Sequence, residues 1–445
     1  MSSIPASSSS PSTVSVHGQD SGSHHQVAPG EIAVGVVIGR TSEYFDFFVY
    51  GIASALVFPK VFFPFAEPLQ ATLLSFAVFA LAFVSRPLGT VLFLWIQQRW
   101  SRGTKLTAAL FLLGTSTAGI AFLPGYEKIG VAAIVLLAMF RTSQGVALGG
   151  SWDGLPSLLA LNAPKHRRGW YAMLGQLGAP VGFIVAASLF AFLYSSLSNA
   201  DFYDWGWRYP FFAAFSINVV ALFARLRLVV TKEYERELGQ RELEPVSMRE
   251  LVQEKGKHVL IGAFAPLASY ALFHIVTIFP LSWILLYADQ PIEGFLWVQV
   301  LGGFIAIGGV LASGKIADRY GRIPTLFGLA LAIAMFSGFA PTLLGGGELA
   351  QDAFVLVGFL LLGLSYGQSS GAVTRNFGPR YRYTGAAFTT DFAWLIGAAF
   401  APLVALWLCA HFGLAYLGAY LLSGAVSTMV ALLLHKRIRD AATEA

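Results

Sequence analysis

Long apolar runs alternate with short polar connections over most of the chain. Twelve of these runs contain about 20 or more residues and are apolar enough to cross a bilayer as helices. They lie near residues 31–58, 71–96, 104–124, 130–161, 170–195, 208–229, 258–287, 295–314, 323–343, 352–374, 383–409 and 412–434. The pattern predicts an all-α membrane protein with twelve transmembrane helices.

The longest polar connection follows the sixth run and divides the helices into two groups of six. Glutamates alternate with lysines and arginines over residues 231–257, which is typical of a solvated, partly helical linker. The predicted organisation is a disordered cytoplasmic tail (1–29), an N-terminal six-helix bundle (30–229), a cytoplasmic linker (230–257), a C-terminal six-helix bundle (258–437) and a short cytoplasmic tail (438–445).

The two groups of helices also repeat in sequence. The stretch from Gly89 to Leu106 matches the stretch from Gly309 to Leu326 at a constant offset of 220 residues. Each copy falls between the second and third run of its group. Two six-helix halves in parallel repeat indicate a transporter whose halves rock about a site near the middle of the membrane.

The loops on the two sides of the predicted membrane differ in charge. The basic loops contain Arg99, Arg102 and Lys105; Lys165, Arg167 and Arg168; Lys315, Arg319 and Arg322; Arg375, Arg380 and Arg382; and Lys436, Arg437 and Arg439. The opposite loops are mainly acidic. Because loops rich in lysine and arginine stay in the cytoplasm, both termini are predicted to be cytoplasmic, in a bacterial-type plasma membrane.

The composition excludes several other classes of protein. Hydrophobic residues make up 56% of the chain and charged residues 12%, against roughly 25% charged residues in a soluble protein. The net charge of +5 comes from short loops rather than from one basic face, so no nucleic-acid partner is expected. The single cysteine, Cys409, excludes an intrachain disulfide, and no motif indicates a metal, a cofactor or an enzyme active site.

The first apolar run carries charged side chains on one helical stripe. Arg40, Glu43 and Asp46 follow each other at intervals of three, and Tyr50 comes four residues later. An ionisable group in a membrane helix normally faces the bundle interior or a watery cavity. Arg40 and Glu43 are interpreted as a structural pair or as functional groups, whereas Asp46 is predicted to carry a proton.

Other polar residues inside the apolar runs are candidates for the same site. Proton coupling is assigned to Asp46, Glu43 and Asp391, with a helix brace as the alternative for Asp391. Arg141 offers a planar fork of donors that fits a carboxylate, and it is predicted to bind an anionic substrate or to exchange partners with Asp46. A permanent structural pair between helices is the alternative. The further candidates for substrate binding are Tyr50, His274, Gln368 and Trp394. Arg86 is interpreted as a structural brace.

Several motifs together resemble one family of membrane transporters. The stretch from Gly314 to Arg322 is similar to the loop signature of the major facilitator superfamily, and further stretches resemble its metabolite:proton symporter branch. These stretches are Glu43 to Gly51, Ser85 to Gly89, Arg141 to Gly150, Gln176 to Gly182, Trp205 to Phe211 and Arg382 to Gly385. The resemblance implies proton-coupled transport of organic acids or betaine-like solutes.

The resemblance also implies an ionic gate on the cytoplasmic side. Its predicted members are Arg99, Arg102, Asp318, Arg319, Arg322 and Arg375. Several acidic residues of the family pattern are missing, since Gln98, Asn162 and Arg375 replace them, and the acidic residue of the fourth span has moved to Asp153. A weakened gate, with the resting protein leaning towards the inward-facing form, is one hypothesis. The other hypothesis is that glutamates of the linker replace the missing acidic partners.

These observations predict a proton-coupled symporter of a small anionic organic metabolite that works by alternating access. The alternatives are a proton-coupled exporter of drugs or metabolites and a transporter-like sensor that carries nothing. The expected partners are a small-molecule substrate, protons and the lipid bilayer, and a monomer without a cofactor is expected.

Overall fold

The computed structural model describes residues 29–151, 159, 163–229, 245–374 and 377–444. Within these residues the regular secondary structure is helical, and no strand occurs. Ten helices in this part of the chain are long and apolar enough to cross a membrane. Pro29–Leu56, which carries the charged stripe, and Tyr209–Val229 complete the set of twelve that the sequence predicts.

We number the twelve spanning segments in chain order. The first six are α1 (Pro29–Leu56), α2 (Pro68–Arg99), α3 (Arg102–Phe122), α4 (Val131–Gly150), α5 (Arg168–Leu174 and Gly178–Ser196) and α6 (Tyr209–Val229). The second six are α7 (Leu267–Thr277 and Phe279–Tyr287), α8 (Ile292–Tyr320), α9 (Arg322–Leu344), α10 (Glu348–Tyr366 and Ser369–Thr374), α11 (Arg382–Gly397 and Ala401–Phe412) and α12 (Ala415–Glu444).

The predicted repeat appears in the positions at which helices begin. The third helix of each half starts at Arg102 and at Arg322, which keeps the offset of 220 residues. Ser101 caps α3 by accepting a hydrogen bond from the Thr104 backbone N–H at 3.0 Å. Gly321 occupies the same place before α9 with a φ of 87°, a conformation that favours glycine.

Helix packing follows the same repeat. In the first half α2 packs on α4, α3 on α6 and α1 on α6, and in the second half α8 packs on α10, α9 on α12 and α7 on α12. The halves meet mainly where α5 packs on α8 and where α2 packs on α11. The boundaries predicted for the domains stay a prediction, since residues 230–244 of the linker and nearly all of the 1–29 tail lie outside the described residues.

Close contact between α1 and α5 depends on two glycines one turn apart. A Cβ atom added to Gly178 or Gly182 would lie less than 3 Å from the main chain of α1, near Arg40 and Phe45 respectively. The glycines therefore let the two helix backbones approach each other closely. This packing fixes α1, with its charged stripe, against the rest of the first half.

The described part of the predicted linker packs against the second half. Helix Met248–Phe264 precedes α7, and its Leu251 is fully buried. Glu250 pairs with Arg380 at 2.6 Å and accepts a hydrogen bond from the Tyr381 hydroxyl at 3.0 Å. This hydrogen bond raises the pKa of Tyr381. A linker glutamate thus pairs with an arginine of the loop before α11. Arg380 is not one of the predicted gate residues, so both hypotheses for the gate stay predictions.

Candidate functional site

A cavity of about 520 Å³ lies between the two halves. Its inner walls contain six aromatic side chains and three charged ones: Tyr44, Phe47, Phe83, Tyr270, Tyr366 and Trp394, with Arg40, Glu43 and Arg86. From there it extends to Arg168, Asp318, Arg322 and Arg382 in the basic loops. We call the side of the bundle with these loops the basic end and the opposite side the acidic end.

An aromatic layer closes the cavity towards the acidic end. The Tyr44 and Tyr366 hydroxyls form a hydrogen bond across the two halves, and the Tyr270 ring stacks on Trp394 with 4.7 Å between centroids. On the far side of the layer, the Ile278 side chain of α7 packs directly against Gly51 of α1. The cavity is therefore closed at the acidic end in this structure.

Among the described residues, the first of two ion pairs at the cavity lies within α1. Arg40 Nη1 is 2.8 Å from Glu43 Oε2, three residues along the same helix. Both side chains are largely buried, and both line the cavity. The sequence predicts this pair, and the proton-coupling role assigned to Glu43 stays a prediction.

The second ion pair joins the two halves. Arg86 Nε on α2 lies 2.7 Å from Asp391 Oδ1 on α11. The hydroxyl of Thr90, also on α2, forms a hydrogen bond to Asp391 Oδ2. Arg86 lines the cavity, whereas Asp391 lies behind it and is 4% exposed.

Asp46 belongs to a separate network inside the first half. Its Oδ1 atom accepts a hydrogen bond from the Thr117 hydroxyl at 2.7 Å, and Thr117 accepts one from Gln144 Nε2 at 2.9 Å. Gln144 Oε1 in turn accepts a hydrogen bond from Arg141 Nη1 at 3.1 Å. Asp46 and Arg141 are thus connected through Thr117 and Gln144 rather than by an ion pair, among the residues that the structure describes.

Arg141 is held by main-chain and aromatic contacts. Its Nε donates a hydrogen bond to the Phe79 carbonyl at 3.1 Å, and its guanidinium carbon lies 3.9 Å from the centroid of the Tyr50 ring. Such cation–π contacts stabilise a desolvated guanidinium. Arg141 is 1% exposed and does not line the cavity, and Tyr50 does not line it either. Their predicted roles in substrate binding stay predictions.

The other candidate substrate residues lie in three different places. Trp394 lines the cavity. His274 is fully buried beyond the cavity wall, stacked on Phe47 at 5.4 Å, and neither ring nitrogen has a hydrogen-bond partner among the described residues. Gln368 lies at the break in α10 and donates a hydrogen bond to the Gly169 carbonyl of α5 at 3.2 Å. It connects the two halves at the basic end and does not line the cavity.

One predicted gate residue, Asp318, makes a well-defined contact between the halves. Its carboxylate accepts hydrogen bonds from the backbone N–H groups of Gly169 at 2.6 Å and Trp170 at 3.1 Å. These groups lie in the first turn of α5, where a negative charge is favourable. Asp318 therefore binds the start of a helix in the other half.

The remaining gate residues have different surroundings. Arg322 donates a hydrogen bond to the Gly371 carbonyl at 2.8 Å, and the Arg102 guanidinium carbon lies 5.7 Å from the Tyr383 ring centroid. Arg99 and Arg319 are exposed. The structure does not describe Asp153, Asn162 or Arg375, so the predictions for these three residues lie outside the described part of the chain.

Sequence reasoning missed two aspects of this arrangement. It ranked Arg141 first for a substrate anion, whereas the arginines that line the inner part of the cavity are Arg40 and Arg86. It also did not identify Thr90, a neutral residue one turn from Arg86, as a partner of Asp391. A signal was present, since Arg86 is an arginine inside an apolar run, but its partner is about 300 residues away in sequence.

The fold and the sequence both have known relatives. The model of the Major Facilitator Superfamily matches residues 37–396. The inner membrane metabolite transport protein YhjE of Escherichia coli (strain K12) is 36% identical over 417 residues, which cover 92% of this chain and 94% of that protein. The shikimate transporter of the same organism is 31% identical over 420 residues, with coverages of 90% and 93%.

The structure is similar to that of a D-xylose-proton symporter. The TM-score is 0.67 at 18% identity, and the match covers 91% of this chain and 97% of that one. The predicted fold and the predicted family resemblance are confirmed, and the protein is a multi-pass membrane transporter rather than an enzyme. The chain belongs to the Major Facilitator Superfamily.

Proposed function

We propose that this transporter moves a small anionic organic metabolite together with protons by alternating access. The observation that carries the proposal is the cavity between the halves, in which two arginines line a wall of aromatic side chains. A guanidinium in a poorly hydrated pocket binds a carboxylate through paired, charge-assisted hydrogen bonds. The aromatic rings provide apolar contact for the carbon skeleton of the metabolite.

Buried carboxylates provide the proton sites. Asp46 is 4% exposed and hydrogen-bonded within the first half, and it does not line the cavity, whereas the next residue, Phe47, does. Carboxylates at such depth are characteristic of proton relays in transporters. Asp46 takes up a proton when water reaches it from one side and releases it when the protein opens to the other.

The side towards which the cavity extends supports the assignment of this structure to the inward-facing state. The cavity extends to the basic end, and basic loops face the cytoplasm. With both termini in the cytoplasm of a bacterial-type cell, this state receives or releases the metabolite on the inner side of the plasma membrane. Residues from both halves of one chain line the cavity, and we keep the prediction of a monomer.

Uptake into proteoliposomes tests the function. The purified protein is given an inwardly directed proton gradient and a panel of radiolabelled succinate, citrate, shikimate, benzoate, proline and glycine betaine. We expect accumulation of one or more carboxylates that a protonophore abolishes, with protein-free liposomes as the control. Accumulation of the zwitterions alone would contradict the anionic substrate class.

Two other outcomes correspond to the alternative functions. Net export of a compound against its gradient when protons flow inward would identify an exporter. Absence of uptake, counterflow and export for every compound would favour a protein that senses or binds without transport.

A further inference from the structure

We propose that Arg86 and Asp391 couple proton binding to substrate binding: the Arg86 guanidinium binds the carboxylate of the substrate when Asp391 takes up a proton. The inference rests on the proposed function and adds the two residues at which anion and proton meet. Sequence reasoning left Arg86 as a structural brace and left a helix brace open for Asp391.

The position of Arg86 gives it two neighbours. One is Asp391 in the other half, 2.7 Å from its Nε atom, and the other is the cavity that its side chain lines. No described residue accepts a hydrogen bond from its two terminal nitrogens. These nitrogens are thus available to a carboxylate in the cavity, while Asp391 neutralises the same guanidinium from behind.

Charge balance makes the two events dependent on each other. Among the described residues, the inner cavity has two ion pairs, Arg40 with Glu43 and Arg86 with Asp391, whose formal charges cancel. A proton alone on Asp391 leaves one positive charge in excess, and a monoanion alone leaves one negative charge in excess. When both bind, the cavity is neutral again. Because uncompensated buried charge is costly, the empty form and the doubly loaded form are the stable ones.

Thr90 allows Asp391 to be satisfied in both protonation states. The Thr90 hydroxyl lies within hydrogen-bond reach of Asp391 Oδ2 and, at 3.2 Å, of the Gly149 carbonyl. When Asp391 is ionised, the hydroxyl donates to the carboxylate. When Asp391 is protonated, the acid donates to the Thr90 oxygen, and the Thr90 hydrogen turns to Gly149. Neither state leaves the buried acid without a partner.

Other titratable groups surround this pair but do not replace it. The elements in contact with α11 contribute titratable groups from six places: Arg40, Glu43 and Tyr44 from α1, Lys105 from α3, Tyr270 and His274 from α7, Tyr366 from α10, Tyr420 from α12, and Glu250 and Lys255 from the linker helix. Arg40 and Glu43 neutralise each other. Glu250 and Lys255 contact residues 380–381, ahead of α11. Within the described residues, the charge opposite Arg86 is that of Asp391.

The test measures anion binding to the purified full-length protein as a function of pH. Thermal stabilisation by shikimate, benzoate and lactate is titrated from about pH 5.5 to about pH 8.5, where these monocarboxylates stay singly charged. We expect the wild-type affinity for an anion to rise by about tenfold or more as the pH falls. In Asp391→Asn the high affinity should persist at every pH, because the amide imitates the protonated acid.

Thr90→Val provides a second, milder variant of similar shape. A hydrogen bond to a carboxylate is stronger than one to a carboxylic acid, so its loss favours the protonated form. We expect the midpoint of the pH dependence to move upward by about one unit. The matched control is Asp352→Asn. Asp352 lies near the acidic end, where its carboxylate accepts a hydrogen bond from Gln290, and this variant should bind the anions like the wild type.

Three results would overturn the inference. The first is an anion affinity that depends on pH in Asp391→Asn as it does in the wild type. The second is an unchanged midpoint of this pH dependence in Thr90→Val, and this variant provides the test if Asp391→Asn does not fold. Either result is compatible with proton-coupled anion transport. In that case, loss of the pH dependence in Asp46→Asn would show that Asp46 is the group whose proton controls anion affinity. The third is the absence of binding by all three anions at every pH, which also contradicts the anionic substrate class.

Discussion

At the scale of single residues, Asp46 and Arg141 form a network that is complete within the first half. Thr117 and Gln144 connect them, so each polar group can be replaced without disturbing the contacts between the halves. Substitutions in this network therefore test proton transfer and substrate binding rather than the closure of the cavity.

Asp46→Asn should abolish accumulation driven by a proton gradient while retaining exchange of substrate between two filled compartments. The amide is nearly isosteric and still accepts the hydrogen bond from Thr117, but it cannot carry a proton. Gradient-driven uptake and counterflow in proteoliposomes measure the two activities. Accumulation at the wild-type level would exclude Asp46 as a proton carrier and leave Glu43 and Asp391.

Arg141→Lys tests whether Arg141 meets the substrate after the aromatic layer opens. Lysine loses the fork that bonds Gln144 and the Phe79 carbonyl. We expect half-saturation for uptake from the acidic end to rise by about tenfold, the scale of one charge-assisted hydrogen bond. Binding to the cavity at the basic end should be unchanged. Equal half-saturation for variant and wild type would remove Arg141 from the substrate site.

The residue scale also shows what a sequence can reveal about such a site. The pair of Arg40 and Glu43 follows from helical spacing alone, because both residues lie on one stripe of α1. The partners Arg86 and Asp391 lie in different halves, and helical periodicity carries no information on contacts between distant helices. The sequence therefore identified buried charges but not which of them face the cavity.

At the scale of helices, the apolar pattern predicted all twelve spans but not their internal breaks. The break in α7 between Thr277 and Phe279 lies within one continuous apolar run, as do the breaks at Gly367 and Ala398. Hydropathy cannot reveal such breaks, since it does not change across them. Pro280 and Pro402, each in the first turn of the helix that follows, were the available signals.

Close packing of α1 on α5 gives a prediction at the same scale. Gly182→Ala should destabilise the protein by about 1–3 kcal/mol, since the new methyl group would overlap the main chain of α1 near Phe45. The matched control is Gly308→Ala in α8, where an added Cβ has open space. Thermal unfolding in detergent compares the two variants. Equal melting temperatures would show that α1 and α5 separate at little cost.

At the scale of the whole molecule, the two basic-end contacts between the halves are not equivalent. Asp318 bonds the first turn of α5, but the residue related to it by the repeat is Gln98, whose amide donates a long hydrogen bond of 3.4 Å to the Pro245 carbonyl. On that side, Lys105 reaches the Tyr383 hydroxyl of α11 at 2.9 Å instead. The charged contact with a helix start is thus present in one of the two symmetry-related places.

This asymmetry predicts the relative populations of the form that opens at the basic end and the form that opens at the acidic end. The Asp318 contact still joins the halves in this structure, although the cavity reaches the basic end. Asp318→Asn should let the halves part further there and reduce the population that opens at the acidic end, whereas Gln98→Asp should increase that population. Hydrogen bonds to a charged group contribute about 1.5–3 kcal/mol each, which is enough to shift a near-balanced equilibrium several-fold.

The reporter for this equilibrium is Ile278→Cys in a Cys409→Ser background, which removes the natural cysteine. Ile278 is fully buried against Gly51 and becomes accessible to a maleimide only when the halves part at the acidic end. We expect slower labelling with Asp318→Asn and faster labelling with Gln98→Asp. Identical labelling rates in all three backgrounds would mean that contacts other than the Asp318 carboxylate hold the halves together at the basic end, and Lys105 with Tyr383 would be the next pair to change.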